Sequence, residues 1–182
     1  QDDPSSGVAT WSYDAAGRLI TSTDPDLGIY TYNYDANGNL VEASDPRGTS
    51  TGTVWYCYDG LNRKTKLITG DQCSSSPTLA TWTYDGGTDG IGHVSGETWA
   101  SNGATGDYIY TYDGRGQETG WSTTINTSSY HFSFAFNDAG MPTVLTYPDG
   151  STLTNAYTSQ GWPLSATRTT GGQATTLTGA LG

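Results

Sequence analysis

Basic residues are scarce. Seven Lys+Arg stand against 18 Asp+Glu in 182 residues, a net charge of −11 with a sequence pI near 4.1. That balance excludes a phosphate-neutralising surface, so neither nucleic acid nor insertion into a membrane is expected of this chain. No apolar run approaches the ~18 residues that a spanning helix needs. The start, Gln1-Asp2-Asp3-Pro4, has neither the basic segment nor the apolar stretch of a signal peptide. The expectation is therefore a removed leader or an excerpt of a longer polypeptide. Two cysteines, Cys57 and Cys73, are too few for a disulfide framework, although one bridge can form. Met (1) and Phe (3) are also low, while Gly (25), Tyr (13), Trp (6), Thr and Ser are abundant. That composition suits strands and turns and excludes a helical bundle or a Rossmann-like enzyme. The aromatics argue against disorder.

One phrase recurs: an aromatic, then Asp, then Gly a few residues on. It reads Tyr13-Asp14-Ala15-Ala16-Gly17, Tyr34-Asp35-Ala36-Asn37-Gly38, Tyr58-Asp59-Gly60-Leu61-Asn62 and Tyr112-Asp113-Gly114-Arg115-Gly116. Phe136-Asn137-Asp138-Ala139-Gly140 and Tyr157-Thr158-Ser159-Gln160-Gly161 are degenerate copies, and an expanded one runs from Tyr84-Asp85 to Gly92. The leading aromatics are 21 to 28 residues apart, the spacing of a repeat architecture. Asp or Asn at the first turn position accepts a hydrogen bond from the backbone N–H two residues on. The last position wants a left-handed backbone, which suits Gly, and Asn62 is the next most tolerant choice. Each phrase is thus read as a hairpin turn.

The residues before each turn alternate with period two. Tyr30/Tyr32/Tyr34, Tyr108/Tyr110/Tyr112 and Phe132/Phe134/Phe136 each place an aromatic row on one strand face. A second strand follows, such as Leu40–Ala43 or Lys66–Thr69, and ends in signals such as Asp24-Pro25-Asp26, Asp45-Pro46-Arg47-Gly48 or Pro148-Asp149-Gly150. The predicted fold is all-β: tandem β-hairpins forming a spiralling β-strip or solenoid-like stack. Residues 1–10 read as a polar lead, 11–168 as seven repeats and 169–182 as a low-complexity Thr/Gly tail. Rows at the same repeat position would stack between neighbouring hairpins and serve as core.

The blocks Gly28 to Leu40, Tyr13 to Leu19 and Tyr84 to Val94 resemble the YD repeat, also called the rearrangement-hotspot (Rhs) repeat. The resemblance runs from about Trp11 to Leu164. It implies an extracellular or cell-surface protein made of a spiralling strip of hairpins, which closes into a hollow shell in polymorphic toxins, insecticidal toxin complexes and teneurins. Seven hairpins are too few for such a shell. The family's Asp-Pro-x-Gly-Leu boundary is not matched either, since Thr49 follows Asp45-Pro46-Arg47-Gly48.

Chemistry-bearing constellations are few. His93 and His131 have no second ligand at metal spacing and read as structural or exposed. Asp35-x-Asn37-x-Asn39 lacks the sixth-position Gly and twelfth-position Glu of a calcium loop. No catalytic residue, metal site or cofactor is expected, so the chain reads as non-enzymatic. Asn126-Thr127-Ser128 is a glycosylation-type sequon on a predicted loop. A Cys57–Cys73 bridge would close a loop of about seventeen residues, worth roughly 3 kcal/mol.

Open strand edges at the ends of a repeat stack recruit further strands. The reading is a structural scaffold that pairs through its sheet edges, with itself or with its continuation, into an extracellular filament or shell wall. Two alternatives are kept. One is a glycan or cell-surface binding module, if Trp11, Trp55, Trp82, Trp99, Trp121 and Trp162 are exposed. The other is a fragment of a toxin-encapsulating shell.

Overall fold

The computed structural model describes residues 7–48, 52–70, 73 and 78–178. Among them every regular element is a β-strand. The chain divides into two compact units, residues 1–82 with 99–101 and residues 83–98 with 102–182.

The first unit holds β1 (Thr10–Tyr13), β2 (Leu19–Asp24), β3 (Gly28–Tyr34), β4 (Leu40–Ser44), β5 (Thr53–Tyr58) and β6 (Lys64–Thr69). It also holds most of β7 (Thr78–Tyr84). Each strand pairs antiparallel with its neighbours in sequence. The second unit holds most of β8 (Val94–Ser101), then β9 (Ala104–Tyr112), β10 (Glu118–Ile125), β11 (Ser128–Phe136) and β12 (Pro142–Thr146). β13 (Thr152–Tyr157), β14 (Pro163–Thr170) and β15 (Gln173–Thr178) complete it. From β9 onward the order is again sequential and antiparallel.

Part of the Thr/Gly-rich tail is extended. Thr169 and Thr170 end β14, and residues 173–178 form β15 on its flank. Thr favours strands, and Gly171 and Gly172 both take positive φ (56° and 79°) to close the hairpin. Residues 179–182 lie outside the described residues. At the other end Thr10 already belongs to β1, and residues 1–6 of the polar lead are likewise outside.

Every YD-type hairpin with an established register carries the same irregularity. In the first, Ser12 pairs with Thr21 but Tyr13 pairs with Leu19, so Ile20 is left over. Val41, Thr65, Thr119, Thr143 and Leu164 are left over at the equivalent place in the β3/β4, β5/β6, β9/β10, β11/β12 and β13/β14 hairpins. Such a bulge interrupts the side-chain alternation of the second strand and steepens the right-handed twist.

The aromatic rows are half-buried rather than buried. In β3, Tyr30, Tyr32 and Tyr34 are half-buried while Ile29, Thr31 and Asn33 between them are exposed. Among the described residues the buried apolar side chains are Cys57, Ile68 and Ala80, and of these Ile68 alone is fully buried. Among the described residues each strand meets its sequence neighbours alone within a unit, so rings there are covered from the side and not from above. In the second unit those lateral contacts form a ladder. Trp121 stacks on Phe132 at 4.1 Å between centroids and tilts against Tyr108 at 5.8 Å. Phe132 meets Tyr147 edge-on at 6.1 Å, and the Arg168 guanidinium lies 5.8 Å from the Tyr147 ring. In the first unit cations take part: Arg18 lies over Tyr34, and Lys64 over Tyr56, each at 4.6 Å.

Candidate functional site

The repeating feature of the molecule is the YD turn, and its geometry follows from one carboxylate. Asp14 Oδ1 accepts the backbone N–H of Ala16 and of Arg18, both at 2.9 Å. The backbone closes the turn twice, with Asp14 N–H donating to Arg18 O and Gly17 N–H to Asp14 O. Asp35 repeats this with Asn37 and Asn39, Asp59 with Leu61 and Arg63, and Asp113 with Arg115 and Gln117. Asn137 does the same through its amide oxygen with Ala139 and Met141. Thr158 reaches only the Trp162 N–H. In the expanded copy Asp85 (φ 62°) accepts from Gly92 N–H at 2.7 Å and donates its own N–H to His93 O. There Gly90 is obligatory, because a Cβ would fall 2.0 Å from Gly86 O.

The closing positions Gly17, Gly38, Gly116, Gly140 and Gly161 have φ of 76–89°, and Asn62 has 61°. These carboxylates are held below the ordinary aspartate range. Backbone hydrogen bonds from Arg18, Arg63 and Gln117 are the leading cause for Asp14, Asp59 and Asp113, and the Asn39 side chain is for Asp35.

A second set of contacts joins one hairpin to the next. The Tyr34 hydroxyl donates to Leu19 O at 2.9 Å, Tyr58 to Leu40 O at 2.9 Å, Tyr112 to Val94 O at 2.8 Å and Tyr157 to Pro142 O at 2.8 Å. Each acceptor is the residue that opens the second strand of the preceding YD hairpin. Phe136 occupies this position without a hydroxyl, and Tyr84 stands beside Asp85 at the end of β7. At the opposite end of the strands Pro46 sits so close to Gly28 that a Cβ there would lie 2.6 Å from Pro46 Cγ. Pro25 approaches Gly7 in the same way.

On the outer edge of β1 this system of contacts stops. The Tyr13 hydroxyl makes no hydrogen bond among the described residues, and Trp11 and Tyr13 are 58% and 59% exposed. Trp162 is 71% exposed, whereas Trp55, Trp82, Trp99 and Trp121 are half-buried.

The remaining candidates fall as follows. Cys57 and Cys73 are joined in a disulfide. Asn126 is exposed in the β10–β11 turn at φ 54°, with its Oδ1 accepting the Thr105 N–H at 3.3 Å. His93 stacks on Tyr112 at 4.5 Å, and His131 is exposed on β11. Among the described residues no group of three or more His, Cys, Asp and Glu is placed to hold a metal ion.

Sequence reasoning missed the second backbone bond of each turn carboxylate, four residues on. It also missed the tyrosine hydroxyl contacts. The first was readable from the Arg or Asn four residues after Asp14, Asp35 and Asp59; the second has no local signal, because its partner lies 15 to 18 residues away.

The RHS Repeat family model matches residues 1–29, 13–50 and 34–72. No curated protein sequence matches the chain. Among solved structures, the crystal structure of TcdB2-TccC3-Cdc42 matches at a TM-score of 0.67 with 16% identity, over 96% of this chain and 9% of that one. The crystal structure of TcdB2-TccC3 without its hypervariable C-terminal region matches at 0.66 with 17% identity over the same shares. At this identity the likeness is one of fold, and the chain spans about 9% of the length of these neighbours. Residues 1–72 thus carry three overlapping matches to the RHS Repeat model.

Proposed function

We propose that the chain is a non-enzymatic segment of an exported scaffold. Its outer β1 edge would be completed by another hairpin of the same kind, from its own continuation or from a second copy, to build a filament or a shell wall. The observation that carries this reading is the tyrosine joint, made four times between successive hairpins and left, among the described residues, without an acceptor at Tyr13. A strand docked on β1 would supply the carbonyl and cover Trp11 and Tyr13. The YD carboxylates are committed to turn hydrogen bonds, which supports a structural rather than a catalytic role for them. The fold likeness to much longer TcdB2-TccC3 chains supports continuation within one polypeptide.

The test is electron microscopy and light scattering of the protein carrying this segment in its natural length, beside a Trp11→Lys variant. Lysine on an edge strand opposes further pairing. Extended strips or closed walls that Trp11→Lys disrupts, with strand content unchanged by circular dichroism, would support the proposal. Discrete particles of one segment with a solvent-exposed β1 edge would refute it.

A further inference from the structure

The third YD turn departs from its sisters. Asn62 stands in the left-handed position that glycine holds at 17, 38, 116, 140 and 161. Its Oδ1 accepts from Asn37 Nδ2 at 3.0 Å and from Asn39 Nδ2 at 2.8 Å, which bridges the second and third turns. Beside that bridge, within the first unit, lies a concavity of about 470 Å³ walled by Trp55, Tyr58 and the Cys57–Cys73 disulfide. Its volume falls in the range of roughly 300–1,000 Å³ typical of small-molecule sites.

The lining selects a ligand class. Asp35 and Asp59 also face the concavity, but their oxygens are already engaged. Asp35 takes two backbone N–H groups and the Asn39 amide, and Asp59 takes two backbone N–H groups and the Arg63 guanidinium. A cation finds no unoccupied carboxylate oxygen to ligate it, and an anion meets the charge of Asp35, whose hydrogen-bond partners are neutral. What remains unengaged is neutral. Among the described residues neither Asn62 Nδ2 nor Asn37 Oδ1 is used in a hydrogen bond. Aromatic residues beside free amide donors and acceptors suit a molecule with a C–H face and a hydroxylated rim.

We infer that this concavity is a binding site for a neutral sugar ring, seated beside Trp55 and Tyr58 with its hydroxyls on the Asn37–Asn62 bridge. The site owes nothing to the open sheet edge, so it stands or falls independently of the scaffold reading.

The experiment is a ¹⁵N–¹H spectrum of the folded protein, with the Trp55 indole signal assigned by its loss in Trp55→Phe. Methyl glycosides of glucose, galactose and N-acetylglucosamine are titrated separately. At least one is expected to move the Trp55 indole signal saturably, with a Kd on the order of 1 mM. Asn62→Gly restores the glycine of the sister turns and removes the rim amide, so the fold should be kept while affinity falls at least about tenfold. No saturable shift with any of the three glycosides overturns the inference. So does an equal response to sodium acetate or methylammonium chloride, or unchanged affinity in folded Asn62→Gly. If Asn62→Gly does not fold, Asn37→Ala on the same bridge is read by the same criterion.

Discussion

The hydroxyl of Tyr34 donates at 2.9 Å to the carbonyl of Leu19, the residue that opens the second strand of the hairpin before it. Tyr58 repeats the contact on Leu40. The tyrosine of the YD phrase therefore has two duties: its ring covers the sheet face, and its hydroxyl fixes one hairpin against the last. The adjoining aspartate shapes the turn within its own hairpin.

Replacing Tyr34 by Phe separates the two duties, since the ring stays and the hydroxyl goes. The expected loss is that of one ordinary hydrogen bond, about 0.5–1.5 kcal/mol in urea unfolding. Tyr13→Phe is the control. Its hydroxyl makes no hydrogen bond among the described residues, so stability of the isolated chain should be nearly unchanged. Equal losses in both variants would mean that the hydroxyl contact contributes nothing particular.

Much of this was legible in the residues. Tyr30-Thr31-Tyr32-Asn33-Tyr34 announces a strand by its alternation, and Asp35 with Gly38 announces the turn that ends it. The bulges at Ile20, Val41, Thr65, Thr119, Thr143 and Leu164 were not legible, because those residues differ in size and polarity while backbone register alone makes them equivalent. The extent of burial was hidden for a related reason. Alternation tells which side chains share a face but not whether a second layer covers it, and here Tyr rows expected as core are half-exposed. Within the candidate sugar site, Asn62 was legible as a tolerated turn residue, but its bridge to Asn37 depends on how successive turns align.

Gly17 and Gly120 should both resist substitution by alanine, for different reasons. At Gly17 the space around a Cβ is empty, so the cost is that of φ 79° alone, about 1–2 kcal/mol. At Gly120 a Cβ would lie 2.6 Å from Phe132 O, a clash between paired strands that the backbone must yield to. Gly17→Asn should be milder than Gly17→Ala, as the native Asn62 suggests, whereas no side chain should rescue Gly120. Thermal melts of Gly17→Ala, Gly17→Asn, Gly120→Ala and Gly120→Asn decide this, and rescue of Gly120 by Asn would contradict the steric account.

The disulfide ties Cys73, between β6 and β7, to the C-terminal end of β5, where Cys57 is 7% exposed, and Ile68 on the paired strand is fully buried. Reducing it under native conditions frees a loop of about seventeen residues in the unfolded chain and should lower stability by roughly 3 kcal/mol on the chain-entropy estimate. A Cys57→Ala/Cys73→Ala variant should lose a similar amount and become insensitive to dithiothreitol. Unfolding curves with and without reductant check this; superimposed curves for the native protein would show that the bridge adds no stability.

Acid should unfold the protein through its turns. Asp14, Asp35, Asp59 and Asp113 are held below the ordinary value of 3.8 chiefly by hydrogen bonds to the charged form, and so are Asp45, beside Arg47, and Asp149, beside Ser151. A carboxylate whose folded pKa is depressed stabilises the fold above its unfolded pKa and loses that contribution as pH falls through the folded value. Stability should thus be level from neutrality to about pH 5 and drop steadily below about pH 4. Glu118 works the other way, because burial raises its pKa, against the six depressed carboxylates named above. The leading causes are hydrogen bonds rather than distant charges, so added salt should shift the curve little. Asp35→Asn should shallow the acid limb while keeping the turn, since Asn137 shows that an amide oxygen serves the same two N–H groups. Urea midpoints between pH 2 and 7 for the native chain and this variant test the account, and identical acid limbs would remove Asp35 from it.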